Sequence, residues 1–237
     1  FEIQYTDKDN QLKYVHQTSW GVSTRIIGAI IMVHGDDNGL VLPPFVAPIQ
    51  VVIVPIQMAK EGVLAKCKEI KDRLEKAGLR VKLDSSDKTP GWKFSEYEMK
   101  GVPLRIEIGP KDIEKGQCVL AKRLDGTKET YALNEELPNT IHQLLDQIHD
   151  EMYAKALKFR DENIRTAKTY DEFKEILNTK AGYIRMMWCE DDACEAKIKE
   201  ETGATSRCIK EDEEPFGDVC PICGKPAKKV VYFAKAY

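Results

Sequence analysis

Four cysteines near the C-terminus constrain this chain more than any other feature: Cys189 and Cys194 in "CEDDAC", then Cys220 and Cys223 in "CPICGK". Two cysteines three positions apart on a tight, glycine-closed turn can aim both thiolates at one ion. A second pair from elsewhere completes a tetrahedral four-sulfur site. Cys194 and Cys220 stand 26 positions apart, so the fold must return the chain to one point. Four sulfurs leave no position for water or substrate, and the spacing therefore predicts structural zinc, one ion per chain. Five of the seven cysteines lie in the last 50 residues. That distribution fits metal ligation in a reducing compartment better than a disulfide framework. Cys208, in "TSRCI", reads as a strand residue in the core, and Cys67 and Cys118 fall on apolar faces.

Charged residues make up 32% of the 237, yet the formal net charge is only −3. No global basic field points to a nucleic-acid partner, so any such partner must be held by a local patch. Apolar runs such as "AIIMV" are far below the roughly 20 residues that span a bilayer, which excludes a membrane segment on this reading. The polar N-terminus "FEIQYTDKDN" has neither a signal-peptide pattern nor an initiator Met, and reads as that of a partial or processed cytoplasmic chain.

"FEIQYT" and "LKYVHQTS" flank the turn-rich "DKDN", predicting a β-hairpin. Ser23 and Thr24 offer an N-cap for a helix through "IIGAIIMVH". "GDDNG" stops that helix: His34 lies at its end in a capping or core position, and Asp36 and Asp37 order the turn. The proline-rich "LPPFVAP" reads as an extended linker. "IQVVIVPI" is a buried strand. Val63, Leu64, Cys67, Ile70 and Leu74 then share one helical face ended by Gly78. "LRVKLD", "VPLRIEIG" and "QCVLAKRL" are further strands, the second with Leu104, Ile106 and Ile108 on one face and Arg105 and Glu107 on the other. A long amphipathic helix follows from Pro138, its stripe formed by Ile141, Leu144, Leu145, Ile148, Met152 and Leu157. Beyond about residue 170, "TYDEFKEIL" and "DDACEAKIKEETGA" read as helices and "GYIRMMWC" as a strand entering a cysteine. The whole predicts an α/β chain with a small, mixed, helix-covered sheet.

Arg25 falls in the first turn of its helix, where free N–H groups and the helix dipole already favour anions. A guanidinium added there suits a polyphosphate, and Gly21 would let a ligand approach the backbone closely. The rival reading is a surface ion pair.

The stretch "TSWGVSTRIIGAIIMVHGDDNGLVLPP" resembles motif 3 of class II aminoacyl-tRNA synthetases, in the form found in prolyl-tRNA synthetases. "APIQVVIVPI" and "GWKFSEYEMKGVPLRIEIGPKDIEKGQCVLAKR" resemble the family's anticodon-binding domain. The cysteine pairs and the terminal Tyr237 resemble the zinc-containing C-terminal domain of its archaeal- and eukaryote-like branch. The resemblance implies three parts. Residues 1–45 are the C-terminal part of an antiparallel catalytic domain, 46–150 the anticodon-binding domain, and 151–237 a small α+β zinc domain. It also implies proline–tRNA ligase activity, with ATP as substrate and Mg in the intact enzyme. The implied partners are proline, tRNA(Pro) and a second subunit in a homodimer. Alternatively, the chain by itself only binds tRNA.

By the same resemblance Arg25 contacts the ATP phosphates, Ser23 and Thr24 line the same pocket, and Trp20 and Gly21 shape its floor. Glu98, Arg105, Lys111, Asp112 and Lys128 meet the anticodon. Proline anticodons carry two guanines, and a mixed acid/base patch suits guanine: Arg reads its acceptor edge, and a carboxylate accepts from its N–H groups. Read without the family, these charges would be surface ion pairs. "LDGTKE" is one residue longer than the family's spacing, which bears on Lys128. Trp92 and Phe94 either stack on bases or pack. The resemblance also brings Tyr237 back toward the catalytic domain.

Overall fold

The structure, a computed structural model, describes residues 1–180 and 182–236. The sequence-based expectation for Tyr237 therefore lies outside the described residues. The chain divides into two compact units, Phe1–His149 and Asp150–Tyr237.

The first unit begins with the expected hairpin, β1 (Gln4–Thr6) against β2 (Leu12–Tyr14). Helix α1 (Arg25–His34) follows. The main sheet contains β3 (Val51–Pro55), β4 (Val81–Leu83), β5 (Leu104–Ile108), β6 (Gln117–Lys122) and β7 (Lys128–Ala132), in the order β4-β3-β5-β6-β7. β3 is parallel to β4 and β5, whereas β5–β6 and β6–β7 are antiparallel. The sheet is thus mixed, as the β-branched run and its alternating neighbours predict. All five β3 residues are buried. Helix α2 (Val63–Lys76) buries Val63, Cys67, Ile70 and Leu74, the predicted stripe less Leu64, which stays half-buried. Leu144, on the long α5 (Leu137–Glu162), borders the same small cavity as Leu104, Leu120 and Tyr131. Leu144 of the α5 stripe therefore packs on the Leu104 face of the sheet.

The opposite face is covered by α3 (Pro90–Met99), a helix absent from the sequence reading. Its one glycine and its aromatics (Trp92, Phe94, Tyr97) give poor helix propensity, and a buried lysine breaks its stripe. Tertiary anchors hold it instead. Thr89 Oγ1 accepts from Trp92 N at 3.4 Å. Lys93, 2% exposed, donates to the Asp84 carbonyl at 2.9 Å, while the Tyr97 hydroxyl donates to Asp84 Oδ2 at 3.1 Å. Val52, Val54, Tyr97 and Val102 form the core beneath it. The short α4 (Pro110–Glu114) is closed by Asp112 Oδ2 accepting from Gly109 N at 2.9 Å.

Residues 36–42 are fastened to the end of α3. Asp36 and Gly39 close the acidic turn on each other, and Asp36 Oδ1 accepts from Asn38 N at 2.9 Å. Leu40 N then donates to Met99 O at 3.0 Å, and Leu42 N to Gly101 O at 3.3 Å. Gly39 (φ +128°) and Gly101 (φ +69°) permit this approach: a Cβ on either would come within 2.6–2.7 Å of the opposing segment.

The second unit is a four-stranded sheet in the order β10-β11-β9-β8, formed by β8 (Ile164–Thr166), β9 (Tyr183–Trp188), β10 (Ala204–Cys208) and β11 (Lys229–Lys235). Helices α6 (Tyr170–Thr179) and α7 (Asp192–Thr202) form where the sequence predicts. Thr169 and Asp191 cap their N-termini. Phe173, Ile184, Met186, Ile198, Val231 and Phe233 make one core cluster. Met187, Cys194, Cys220, Val230 and Tyr232 make another. Cys67 and Cys118 are buried as expected, but Cys208 is exposed and not a core residue. It sits on an edge strand where the register with β11 shifts between Ser206 and Cys208, so the bulge turns its side chain outward.

Gly39→Ala should destabilise the first unit by at least about 3 kcal/mol in urea unfolding, because a strained φ and a backbone clash act together. Gly78→Ala, at φ +85° with open space around it, should cost about 1–2 kcal/mol. Equal losses would show that the close approach contributes nothing.

Candidate functional site

The register of the main sheet sets out a row of residues on the face under α3: Val52, Arg105, Ala121 and Lys128. Glu107 lies on the same face, paired with Val54 and Val119. Arg105 and Lys128 therefore stand either side of small Ala121, with Glu107 two residues along the strand from Arg105. Glu107 Oε1 accepts from Arg105 Nε at 3.0 Å and from Lys128 Nζ at 2.8 Å. Glu98, in the last turn of α3, accepts from Arg105 Nη1 at 3.0 Å. The Arg105 guanidinium also lies 4.0 Å from the Phe94 ring centroid, with Lys128 Nζ at 5.1 Å from the same ring. Three of the five expected residues are thus brought together, with Glu107 and Phe94 joining them.

Arg105 is not the exposed polar-face residue that alternation predicts. Its side chain is 8% exposed and its donors already meet two carboxylates, whereas the Glu98 side chain is 43% exposed. Lys111 and Asp112 lie on α4, and among the described residues no hydrogen bond or ion pair links them to the cluster. The register carries Lys128 onto the face despite the long turn. Trp92 remains 47% exposed under Lys88, while Phe94 packs.

Arg123 was not among the residues singled out from sequence. Its side chain is 5% exposed. Nε donates to the Glu98 main-chain oxygen at 2.8 Å, and Nη1 and Nη2 fork onto Asp36 Oδ2 and Oδ1 at 2.8 and 2.6 Å. No local spacing could have shown this, since the partners are 87 positions apart. Asp36, Asn38, Glu98, Arg105, Lys122, Arg123 and Asp125 border one cavity of about 290 Å³.

Around α1, Ser23, Thr24 and Arg25 are exposed and Trp20 is 95% exposed. Gly21 has open space around it. Thr24 occupies the N-cap position but makes no side-chain cap. Ser23 Oγ instead accepts from Arg25 N at a long 3.4 Å, because Thr24 has already turned helical. Arg25 faces solvent and makes no ion pair among the described residues.

In the second unit the four cysteine sulfurs all lie within 4.8 Å of one another. Cys189 follows β9, Cys194 lies in the first turn of α7, and Cys220 and Cys223 sit on a turn closed at Gly224 (φ +73°). Sulfurs at about 2.3 Å from a tetrahedral ion are about 3.8 Å apart. Cys189 Sγ is 3.7 Å from Cys194 Sγ and 3.6 Å from Cys223 Sγ, so the set fits a thiolate-bound metal. A backbone N–H from Lys225 holds the exposed Cys223 thiol down at about 7, whereas burial pushes Cys189 and Cys194 up. Among the described residues no helix is long and apolar enough to cross a membrane.

Two family models match. The anticodon binding domain covers residues 50–144, and the C-terminal domain of prolyl-tRNA synthetase covers 170–237. Over the entire chain, proline–tRNA ligase of Clostridium novyi is 60% identical and proline–tRNA ligase 2 of Bacillus cereus 54%. A crystal structure of prolyl-tRNA synthetase from Cryptosporidium parvum, complexed with L-proline and AMP, is 40% identical. It superposes with a TM-score of 0.89 over 99% of this chain and 50% of its own. The chain matches the C-terminal region of prolyl-tRNA synthetases along its whole length. It spans about half the length of the curated relatives it matches, 49% in each of these two. The Glu98–Arg105–Lys128 cluster falls inside the anticodon-binding match and the four cysteines inside the C-terminal match.

Arg123 holds the Asp36 carboxyl down at about 2, chiefly through its hydrogen bonds. A depressed carboxylate contributes stability above about pH 4 that is lost as pH falls toward 2. The Asp36 side chain is 42% exposed, so the contribution should stay below about 1 kcal/mol. Asp36→Asn should flatten the acid limb of the first unit's unfolding free energy by that amount. An unchanged limb would show that the pair is energetically silent.

Proposed function

We propose that this chain is the C-terminal part of a proline–tRNA ligase, supplying a nucleotide-pocket wall, anticodon recognition and a zinc-stabilised domain. The observation that carries the reading is the full-chain similarity to proline–tRNA ligases. Residues 1–45 form the end of the catalytic domain, 46–150 the anticodon-binding domain and 151–237 the zinc domain. In the whole enzyme the proline carboxylate attacks the ATP α-phosphate and pyrophosphate leaves, giving prolyl-adenylate. A hydroxyl of the tRNA 3′-terminal adenosine then attacks the acyl carbon and AMP leaves. Positioning and charge stabilisation supply the catalysis.

Arg25 stabilises the phosphate charge, Mg accompanies ATP, Ser23 and Thr24 line the pocket, and Trp20 and Gly21 form its floor. The apolar side of α1 supports a covering partner in the longer enzyme, since Ile26, Ile27, Met32 and Val33 are each more than half exposed. Glu98, Arg105, Lys111, Asp112 and Lys128 meet the anticodon of tRNA(Pro). Because Arg105 is buried and engaged by two carboxylates, Glu98 is the group a base reaches first, and Arg105 holds it.

The experiment is aminoacylation against proline-dependent ATP–pyrophosphate exchange in the full-length enzyme. Arg25→Ala should slow exchange by on the order of 100-fold. Arg105→Ala should leave exchange intact and weaken aminoacylation of tRNA(Pro) by about 1–3 kcal/mol, because only tRNA touches both sites. Near-normal exchange in the first variant, or equal damage to both steps in the second, would remove that residue from its role.

Cys189, Cys194, Cys220 and Cys223 hold one structural zinc ion, which the tetrahedral sulfur set favours. Purified protein should contain about one zinc per chain by mass spectrometry. Cys220→Ser should lower the zinc content and expose residues beyond about 170 to proteolysis. Cys208→Ser should change neither. Reduced, chelator-free protein without zinc would refute the assignment.

A further inference from the structure

The end of α3 is held from outside. The last carbonyls of a helix have no partner within it. Here Arg123 Nε joins Gly101 N on that of Glu98, at 2.8 and 3.0 Å, and Leu40 N takes that of Met99. Arg123 could not reach Glu98 in a fixed orientation without Asp36, whose two oxygens grip the far side of its guanidinium at 2.6 and 2.8 Å. A bidentate fork fixes a plane as well as a distance. Glu98 is thereby held at two points by two arginines, Arg123 on its main-chain oxygen and Arg105 on its carboxylate. Both arginines, Asp36 and Glu98 border the same 290 Å³ cavity, so the grip lies at the wall of the space a base would enter.

We propose that Asp36 and Arg123 are positioning residues for anticodon recognition: they fix the end of α3 so that the Glu98 carboxylate meets the N–H edge of a guanine. The inference rests on the anticodon-binding reading above. Asp36 belongs to the segment that follows α1, so part of the geometry of base recognition is set by a residue outside the anticodon-binding match, which begins at residue 50. The guanidinium and carboxylate of the pair are spent on each other and on the Glu98 main chain rather than on a base. The pair acts through where the last turn of α3 sits, and a shift of about 1 Å is enough to spoil a paired hydrogen bond.

The test is binding of an RNA stem-loop carrying a proline anticodon to the 237-residue chain, by fluorescence anisotropy at fixed salt. A second stem-loop has inosine in place of each anticodon guanine in turn. Inosine lacks only the 2-amino group, a donor that a carboxylate would accept. The unaltered chain should prefer guanine by about tenfold at one position. Asp36→Asn and Arg123→Lys should each bring that preference below about threefold, while affinity for the inosine loop changes less than about twofold. Arg123→Lys keeps the charge but loses the fork, so it separates geometry from electrostatic attraction. Thermal unfolding of each variant should remain cooperative. A preference that stays near tenfold would overturn the proposal, as would equal weakening of both loops, which marks a phosphate or folding effect. If the unaltered chain shows no preference for guanine, the anticodon reading fails and the proposal falls with it.

Discussion

A guanidinium buried on the covered face of a β-sheet is the constraint around which the first unit is arranged. Arg105 takes its place in a row between Val52 and Ala121, and a charge in that position is costly unless its donors are met. Glu107 meets it along the strand and Glu98 from α3, while Phe94 lies against the flat face of the ion. These contacts explain why a helix of weak propensity forms over this part of the sheet: α3 delivers both Glu98 and Phe94. They also account for the anchors at its two ends, Lys93 with Asp84 at one and Arg123 with Asp36 at the other.

Much of this architecture was legible because local patterns carry it. A β-branched run, period-two alternation in "LRIEI" and the Cys67–Ile70–Leu74 stripe each report burial through nearest neighbours, and tertiary structure agreed with them. The cysteine spacing worked differently. It foretold convergence between distant segments because only metal ligation makes sense of four thiols so placed. What stayed hidden was long-range charge pairing. Asp36 reads as a turn former, which it also is, and nothing near it announces Arg123. Arg105 reads as solvent-facing because alternation cannot tell an open sheet face from one covered by a helix that propensity fails to predict. Cys208 was misplaced for a related reason: a bulge resets the phase of a strand, and a single sequence does not mark where.

The second unit relies on a different kind of closure. Its four clustered cysteines come from a strand end, a helix start and one tight turn, so the sulfurs bring β9, α7 and the turn before β11 to one point. Cys194 and Cys220 belong to the same apolar cluster as Met187, Val230 and Tyr232. Without a metal the cluster keeps close-packed thiols, the exposed Cys223 easily ionised and Cys189 and Cys194 resisting ionisation. With a metal it keeps four thiolates whose charge is shared with the ion. Lys225 paired with Asp191, and Lys229 with Glu190, place further cations around the cluster.

Residues 1–42 show how unevenly a chain can be held. No side chain before Val41 is buried, and α1 is a ten-residue helix whose apolar residues face outward. Helices this short are marginal in water without a surface to pack on. The segment directly after α1 is, by contrast, tightly fixed: a turn closed on itself, two backbone bonds to the end of α3, and a bidentate ion pair. Such a junction is stiff on one side and in need of a partner on the other. A surface that covers α1 gains its binding energy from the exposed isoleucines, and it need not reorganise the fixed turn to do so. Covering the apolar residues of α1 and holding the Asp36 turn are therefore separable in energy, while the path of the chain from Gly35 to Leu42 keeps them joined in geometry.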